Sequence, residues 1–415
     1  MHEVLDNSLG LLWRWALKRR RRWLRIASGS FYNLSLPLIN VLVSWLVVRL
    51  GSLALWGSFV QVMLWVQLGA MVAGWGNKEF LLRAFSRQPD AFAGLWQRAL
   101  ATRSLLLAPI ALVLVFILAL SRPTDAATTA VAVGWLLGLF LYQSCDVLVV
   151  YRRAFGWATA VEAATTVGMA VFVLIRRDRL TVFELTLSFA LATLLKAAAM
   201  LFRFRRDLRS DVMSAGPRWW PAYWREALVF FLLGFGGMLH SRIDLYSVGA
   251  LLPPREVGIY QVYTNFLLYL QSLAAFILMP FLPSLFRAGT TTLRKISQQM
   301  FLFAISIVLP VLLVIDLILR FLYKIDLSYE FLILGGLYVL PLYYYISIIY
   351  EIYKNNLQKI VLFVNLLGIV TKLILNLILL PRIGSIGALL SSAIVAWLAL
   401  VFYVHQRRRL AWLTS

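Results

Sequence analysis

Long apolar runs, each about as long as a bilayer is thick, recur along almost the whole chain. A helix needs about 20 apolar residues to cross the hydrocarbon core, and twelve segments of this sequence are near that length. Of the 415 residues, 61% are hydrophobic and only 14% are charged, against about 45–50% and about 25% in soluble domains. The runs lack the alternation of a barrel strand. The sequence therefore excludes a soluble enzyme and a disordered protein, and predicts an all-α polytopic membrane protein.

The twelve predicted spans form two sets of six. The first set is residues 26–50, 55–76, 104–120, 126–149, 155–175 and 181–202. The second set is residues 227–251, 257–282, 298–322, 331–352, 358–380 and 384–405. The third span is short and can begin earlier, near Leu95. We expect an N-terminal lobe (26–202), a cytoplasmic linker (203–226), a C-terminal lobe (227–406) and a cytoplasmic tail (407–415).

Basic residues give the expected orientation. The segments predicted to be cytoplasmic hold 28 Lys and Arg, and the opposite segments hold nine. By the positive-inside rule, both termini lie in the cytoplasm. Residues 1–25 combine an apolar helical stripe with a basic run at 18–22, which predicts an interfacial helix on anionic lipids. Topology and lipid attraction thus explain the net charge of +22, and no nucleic-acid partner is predicted.

A weak internal repeat relates the two lobes. Residues 49–57 and 250–258 each join two spans and end in glycine, at an offset of 201 residues. Leu82-Arg83-Ala84 and Phe286-Arg287-Ala288 follow the next spans. Two six-span repeats are related by a pseudo-two-fold axis along the membrane normal, an arrangement typical of transporters with a midplane site. The alternative is two unrelated hairpins that share a glycine turn.

Two cations lie deep in predicted spans. Arg242 and Lys372 are each about fifteen residues into a span, where a charge costs about 2.5–3.5 kcal/mol. They are expected to line a hydrated cavity, and their excess over carboxylates favours an anionic ligand such as phosphate. Asp244 and Glu162 are candidates for ion coupling, or are structural counter-ions of the two cations. The other candidate cavity residues are Arg49, Asn33, Asn40, Gln61, His240, Asn265 and Asn376.

Other ionisable residues lie near span ends and are expected to reach the headgroups or to cap helices. These are Asp146, Glu184, Lys196, Asp316 and Glu351. The three histidines are scattered and Cys145 is the single cysteine. No metal site, disulfide or cofactor is therefore predicted.

Several of these residues resemble those of a known family. Asp244, the run Val257-Gly258-Ile259-Tyr260 and a span ending in Met279-Pro280 are similar to the seventh and eighth spans of polysaccharide flippases. The run from Asn376 to Ala388 resembles the junction of their last two spans. These flippases belong to the multidrug/oligosaccharidyl-lipid/polysaccharide exporter (MOP) superfamily.

The resemblance implies two six-helix lobes with alternating access between them. It also implies translocation of a polyprenyl-diphosphate-linked oligosaccharide, such as an O-antigen or exopolysaccharide unit, across the cytoplasmic (inner) membrane, coupled to Na⁺ or H⁺. Arg242 and Lys372 would hold the diphosphate. One alternative is a multidrug antiporter, which needs an acidic chamber. Another is a membrane polymerase or ligase, which needs a sizeable outer loop, and no outer connection here exceeds about a dozen residues. A nonenzymatic scaffold or channel is a further alternative.

Overall fold

The computed structural model describes residues 40–120, 124–208, 219–278 and 281–414. Asn33, the predicted interfacial helix and much of the first span lie outside these ranges. In the described part the chain is helical and has no strand. The first half holds α1 Asn40–Leu50, α2 Leu53–Gly74, α3 Asn77–Arg87, α4 Phe92–Ser104, α5 Leu107–Leu120, α6 Ala126–Arg152, α7 Phe155–Ile175 and α8 Val182–Phe204. The second half holds α9 Trp219–Leu251, α10 Pro254–Leu278, α11 Leu282–Leu285, α12 Thr290–Ile318, α13 Tyr329–Lys354, α14 Gln358–Ile383 and α15 Ser385–Thr414.

The helices confirm a polytopic membrane fold. In the described ranges, ten helices are long and apolar enough to cross a membrane, and a bent pair raises the number to as many as eleven. The pair is Pro89–Ser104 with Leu107–Leu120, bent by 41°. This third span therefore begins well before residue 104. The first predicted span is described only from Asn40 onward.

Short polar side chains begin several of the helices. Ser52 caps α2 by accepting a hydrogen bond from the Leu55 N–H, and Asp125 caps α6 through the Thr128 N–H. Thr181 and Glu184 form a reciprocal capping box at the start of α8, so the capping expectation for Glu184 is confirmed. These contacts satisfy backbone donors that have no partner inside the helix.

Helices pack mainly within their own half, and α2 joins the two halves. In the first half α6 packs against α2, α5 and α8, and in the second half α13 and α14 pack against α15. α2 also lies along α9 and α10. The division into lobes at residues 203–226 stays a prediction.

The contact between α2 and α10 is unusually close, because glycine lies on both sides. A Cβ atom on Gly57 would be 1.6 Å from the Pro254 carbonyl oxygen, and one on Gly258 would be 2.5 Å from the Leu53 carbonyl oxygen. Beside them the Trp56 indole N–H donates to Gln261 Oε1 at 2.9 Å. Gly57 and Gly258 are the glycines that the 201-residue offset places at equivalent positions.

Candidate functional site

A polar cluster lies inside the second half, and Asp244 on α9 is its carboxylate. The Asp244 side chain is only 3% exposed. Its Oδ2 accepts hydrogen bonds from the Tyr260 hydroxyl at 2.7 Å and the Ser392 hydroxyl at 2.9 Å. Its Oδ1 accepts the Leu245 N–H at 2.9 Å. Neutral donors from α10 and α15 therefore solvate this buried carboxylate, as burial of a charge requires.

Lys372 on α14 brings a buried ammonium group to the same cluster. The residue is 1% exposed, and its Nζ donates to the His240 carbonyl oxygen at 3.0 Å. The ammonium also lies 5.3 Å from the centre of the Tyr338 ring, within the range of a cation–π interaction. Both contacts are made with uncharged groups, so the ammonium of Lys372 is stabilised without a carboxylate in direct contact.

Arg242 is the second cation of the cluster, on another face of α9. Its Nη1 donates to Asn265 Oδ1 at 2.8 Å, and the side chain is half-buried. Arg242 and Asp244 are two residues apart, so they point to different sides of the helix. Among the described residues, the ion pairs within 4.0 Å include neither Arg242 nor Lys372. Two cations against one carboxylate leave the cluster with a positive charge in excess.

The cluster borders a cavity of about 220 Å³. Gly368 on α14 leaves room for the His240 ring of this lining, since a Cβ atom there would be 2.4 Å from it. The polar groups around the cavity are donors and acceptors that can serve an anion or water. They are His240, Ser241, Gln271, Tyr338, Tyr345, Asn365, Lys372, Ser392 and Tyr403.

The other predicted cavity residues lie at different places. Asn376 is fully buried and accepts a hydrogen bond from the Ser391 hydroxyl. The Gln61 amide donates to the Gly249 carbonyl oxygen at 2.7 Å and so joins α2 to α9. Asn40 is exposed and hydrogen-bonds to Tyr269, and Arg49 is exposed at the end of α1. The structure thus brings His240 and Lys372 to the cavity, with Asp244 close by. Arg242 and Asn265 bond to each other on another face of α9 and are not part of the cavity lining.

Glu162 lies in the first half and has its own counter-ion. Its Oε2 is 2.5 Å from Lys196 Nζ, and its Oε1 accepts the Tyr142 hydroxyl at 2.5 Å. The side chains of Glu162 and Lys196 are 1% and 12% exposed. The expectation that Lys196 extends to the headgroups is wrong, because a buried carboxylate holds it. Glu162 is therefore not the counter-ion of Arg242 or Lys372.

Three other acidic residues near span ends are paired with cations. Asp146 binds Lys78 at 2.6 Å, Asp316 binds Arg320 at 2.8 Å, and Glu351 binds Arg407 at 2.8 Å. The last pair is buried, with side chains 3% and 12% exposed. Glu351 therefore ties α13 to α15 instead of reaching the headgroups.

Sequence reasoning missed some residues of the site. Ser392 was not predicted. Tyr260 belongs to the run Val257-Gly258-Ile259-Tyr260, but nothing in the sequence identifies it as a donor to Asp244, or Tyr338 as a neighbour of Lys372. A third span that starts at residue 104 leaves Arg103 in the preceding cytoplasmic segment, yet Arg103 is 1% exposed and donates to the Ser144 hydroxyl at 3.0 Å. The short third span and its possible start near Leu95 were the signal for this shift.

Two solved structures share this architecture. A lipid II flippase, MurJ, in an inward closed conformation matches with a TM-score of 0.71 and 12% identity, over 92% of this chain and 87% of that one. An inward-facing multidrug resistance MATE family transporter of the MOP superfamily matches with a TM-score of 0.68 and 13% identity, over 92% of this chain and 98% of that one. No protein-family profile and no curated protein matches the sequence. The chain therefore shares its fold with these two membrane proteins.

Proposed function

We propose that this protein is a flippase and not an enzyme. It moves a polyprenyl-diphosphate-linked oligosaccharide across the cytoplasmic membrane by alternating access between its halves, with both termini in the cytoplasm. The observation that carries the proposal is that Arg242 and Lys372 both have neutral hydrogen-bond partners, and that the buried Lys372 lines a polar cavity. A cation stabilised in this way can still attract a diphosphate strongly. The fold shared with a lipid II flippase supports the same class of cargo.

A multidrug antiporter is the main alternative, since a MATE transporter shares the fold. The positive cluster disfavours it, because a cationic drug would be repelled by Arg242 and Lys372. The two functions differ in cargo, and a transport assay separates them.

The test is translocation of a fluorescent polyprenyl-diphosphate sugar in proteoliposomes. Lys372→Met keeps the side-chain volume and removes the charge, and we expect it to slow translocation about 10-fold or more, the worth of one charge-assisted hydrogen bond. Lys359→Met is the matched control, because Lys359 is exposed on the same helix. It should transport at the wild-type rate.

A wild-type rate in folded Lys372→Met protein would contradict the role of this lysine. Wild-type protein that expels ethidium along a cation gradient, but leaves the glycolipid in place, would favour the antiporter. In cells, deletion of the gene should leave lipid-linked oligosaccharide on the inner leaflet and remove the surface polysaccharide.

Asp244 is the stronger candidate for coupling to Na⁺ or H⁺. Lys196 already balances the charge of Glu162, whereas Asp244 has only neutral donors within hydrogen-bond distance. We expect Asp244→Asn to remove the stimulation of transport by an imposed ion gradient. Asp146→Asn is the control, because Asp146 is a partly exposed carboxylate paired with Lys78. This variant should still be stimulated by the ion gradient.

A further inference from the structure

A second polar pocket lies at the end of α2 opposite the Gly57 contact, where α3, α4 and the start of α9 meet. Its volume is about 170 Å³, and its lining includes Phe80, Arg83, Arg87, Gln88, Tyr223 and Glu226. Arg83 belongs to the Leu-Arg-Ala step of the repeat, to which the transport proposal gives no role.

The walls of this pocket come from both halves of the chain and are packed tightly. The Phe80 ring meets the Tyr223 ring edge-on, with centroids 5.0 Å apart, and Tyr223 is 1% exposed. Gly76 has a positive φ of 65°, and a Cβ atom there would lie 2.6 Å from the Phe231 nitrogen. Backbone contact between Gly76 and α9 therefore fixes the position of α3 against the second half.

The charges of the pocket favour an anion. Arg83 and Arg87 are one turn apart on α3, so both guanidinium groups lie on the same side of the helix. Both residues are exposed, and within the described ranges neither guanidinium makes an ion pair or a hydrogen bond. Glu226 is the one carboxylate in the lining, so the pocket keeps a net positive charge.

The length of α2 predicts that the pocket lies at the depth of the lipid headgroups. α2 has 22 residues and is about 33 Å long, which matches a hydrocarbon core of about 30 Å. α3 follows directly, buries Phe80, Leu81 and Phe85, and presents its arginines outward. At this depth the abundant phosphates are those of lipids.

We propose that Arg83 and Arg87 bind the phosphodiester of an anionic phospholipid in the leaflet predicted to be cytoplasmic. Two guanidinium forks suit the oxygens of a phosphate. The site is separate from the basic segment at residues 1–25 and from the cavity at Lys372. The bound headgroup lies between α3 and α9, and so stabilises the contact between the two halves.

The experiment measures thermal unfolding of the purified protein in detergent, with added phosphatidylglycerol, phosphatidylcholine or inorganic phosphate. We expect phosphatidylglycerol to raise the unfolding midpoint of the wild type by about 3 °C or more above phosphatidylcholine. Arg83→Gln/Arg87→Gln should lose most of this increment and bind the lipid about 10-fold more weakly. The control Arg408→Gln/Arg409→Gln removes two exposed arginines elsewhere and should retain the increment.

Equal increments in the two double variants would overturn the site. A full increment with inorganic phosphate alone would overturn the assignment to a lipid. Should Arg83→Gln/Arg87→Gln fail to fold, Arg83→Lys/Arg87→Lys keeps the charge and loses the guanidinium forks. An undiminished lipid increment in that variant would contradict binding through those forks. Transport of the glycolipid is a separate readout, so failure of either proposal leaves the other intact.

Discussion

Lys196 and Lys372 show that buried ammonium groups can have opposite chemical roles. The Nζ of Lys196 is 2.5 Å from a carboxylate oxygen of Glu162, whereas Lys372 donates to a backbone carbonyl oxygen. Removing one member of a buried ion pair leaves the other charge without compensation, which is costly. Lys196 is therefore expected to act in stability, and Lys372 in binding.

Lys196→Met tests the structural role. We expect it to lower the free energy of unfolding by about 3–5 kcal/mol, because Glu162 would stay charged and buried. Glu162→Gln/Lys196→Met should recover much of that loss, since it removes both charges. Lys78→Met is the control, because Lys78 is 45% exposed in its pair with Asp146. It should cost about 1 kcal/mol or less.

Denaturant unfolding of the purified protein measures these differences. If Lys196→Met were no less stable than the double variant, the buried carboxylate of Glu162 would not need Lys196 as its counter-ion. Glu162 would then return as a candidate for ion coupling.

The sequence predicted which charged residues of this site are costly to place in the membrane, but it did not predict their hydrogen-bond partners. The depth of Arg242 and Lys372 follows from counting residues along an apolar run. That Tyr260 and Ser392 solvate Asp244 depends on how α10 and α15 are rotated against α9, and hydropathy does not encode rotation. Lys196 was misplaced for the same reason, since only packing of α7 against α8 brings Glu162 to it.

At the scale of helices, the close contact between α2 and α10 requires Gly57. A methyl group on Gly57→Ala would lie 1.6 Å from the Pro254 carbonyl oxygen, so α10 must move. We expect a loss of about 1–3 kcal/mol, as for other overpacked contacts. Gly134→Ala in α6 has no atom within 4 Å of the new Cβ and should be neutral or slightly stabilising through helix propensity.

Spin labels at Ala54→Cys and Arg255→Cys, both exposed at the starts of α2 and α10, report the separation of these helices. Cys145→Ala provides the cysteine-free background. Gly57→Ala should lengthen the distance between the labels, and Gly134→Ala should not. An unchanged distance together with an unchanged unfolding midpoint would show that the contact relaxes freely.

Helix boundaries were predictable where apolar runs end in polar turns, as at α7, whose predicted and observed limits are both 155–175. The third span was not predictable in this way. Its first part, α4, carries Gln97, Arg98 and Arg103, so hydropathy alone stops at the bend before α5. A hydropathy count places Arg103 outside the membrane because it is charged. In the structure its guanidinium is buried and is stabilised by the hydrogen bond that it donates to Ser144.

The whole molecule has an orientation that the distribution of basic residues predicts and that labelling can test. Cys145 is 0% exposed, so the wild-type background should stay unlabelled. Single cysteines at Asp178→Cys and Lys324→Cys test the face predicted to be outer, because both residues are exposed in turns on that face. Arg206→Cys and Arg408→Cys are exposed on the opposite face, after α8 and near the end of α15.

We expect a membrane-impermeant maleimide to label positions 178 and 324 in intact spheroplasts, and positions 206 and 408 only after permeabilisation. Position 178 is the decisive one, because Arg176, Arg177 and Arg179 surround it and oppose the overall bias. Labelling at position 178 from outside would show that the excess of Lys and Arg in the other cytoplasmic segments determines the orientation despite these three arginines. The reverse pattern at all four positions would place both termini outside. In that orientation the pocket at Arg83 would lie in the outer leaflet. The same measurement therefore determines both the orientation of the molecule and the leaflet of its lipid site.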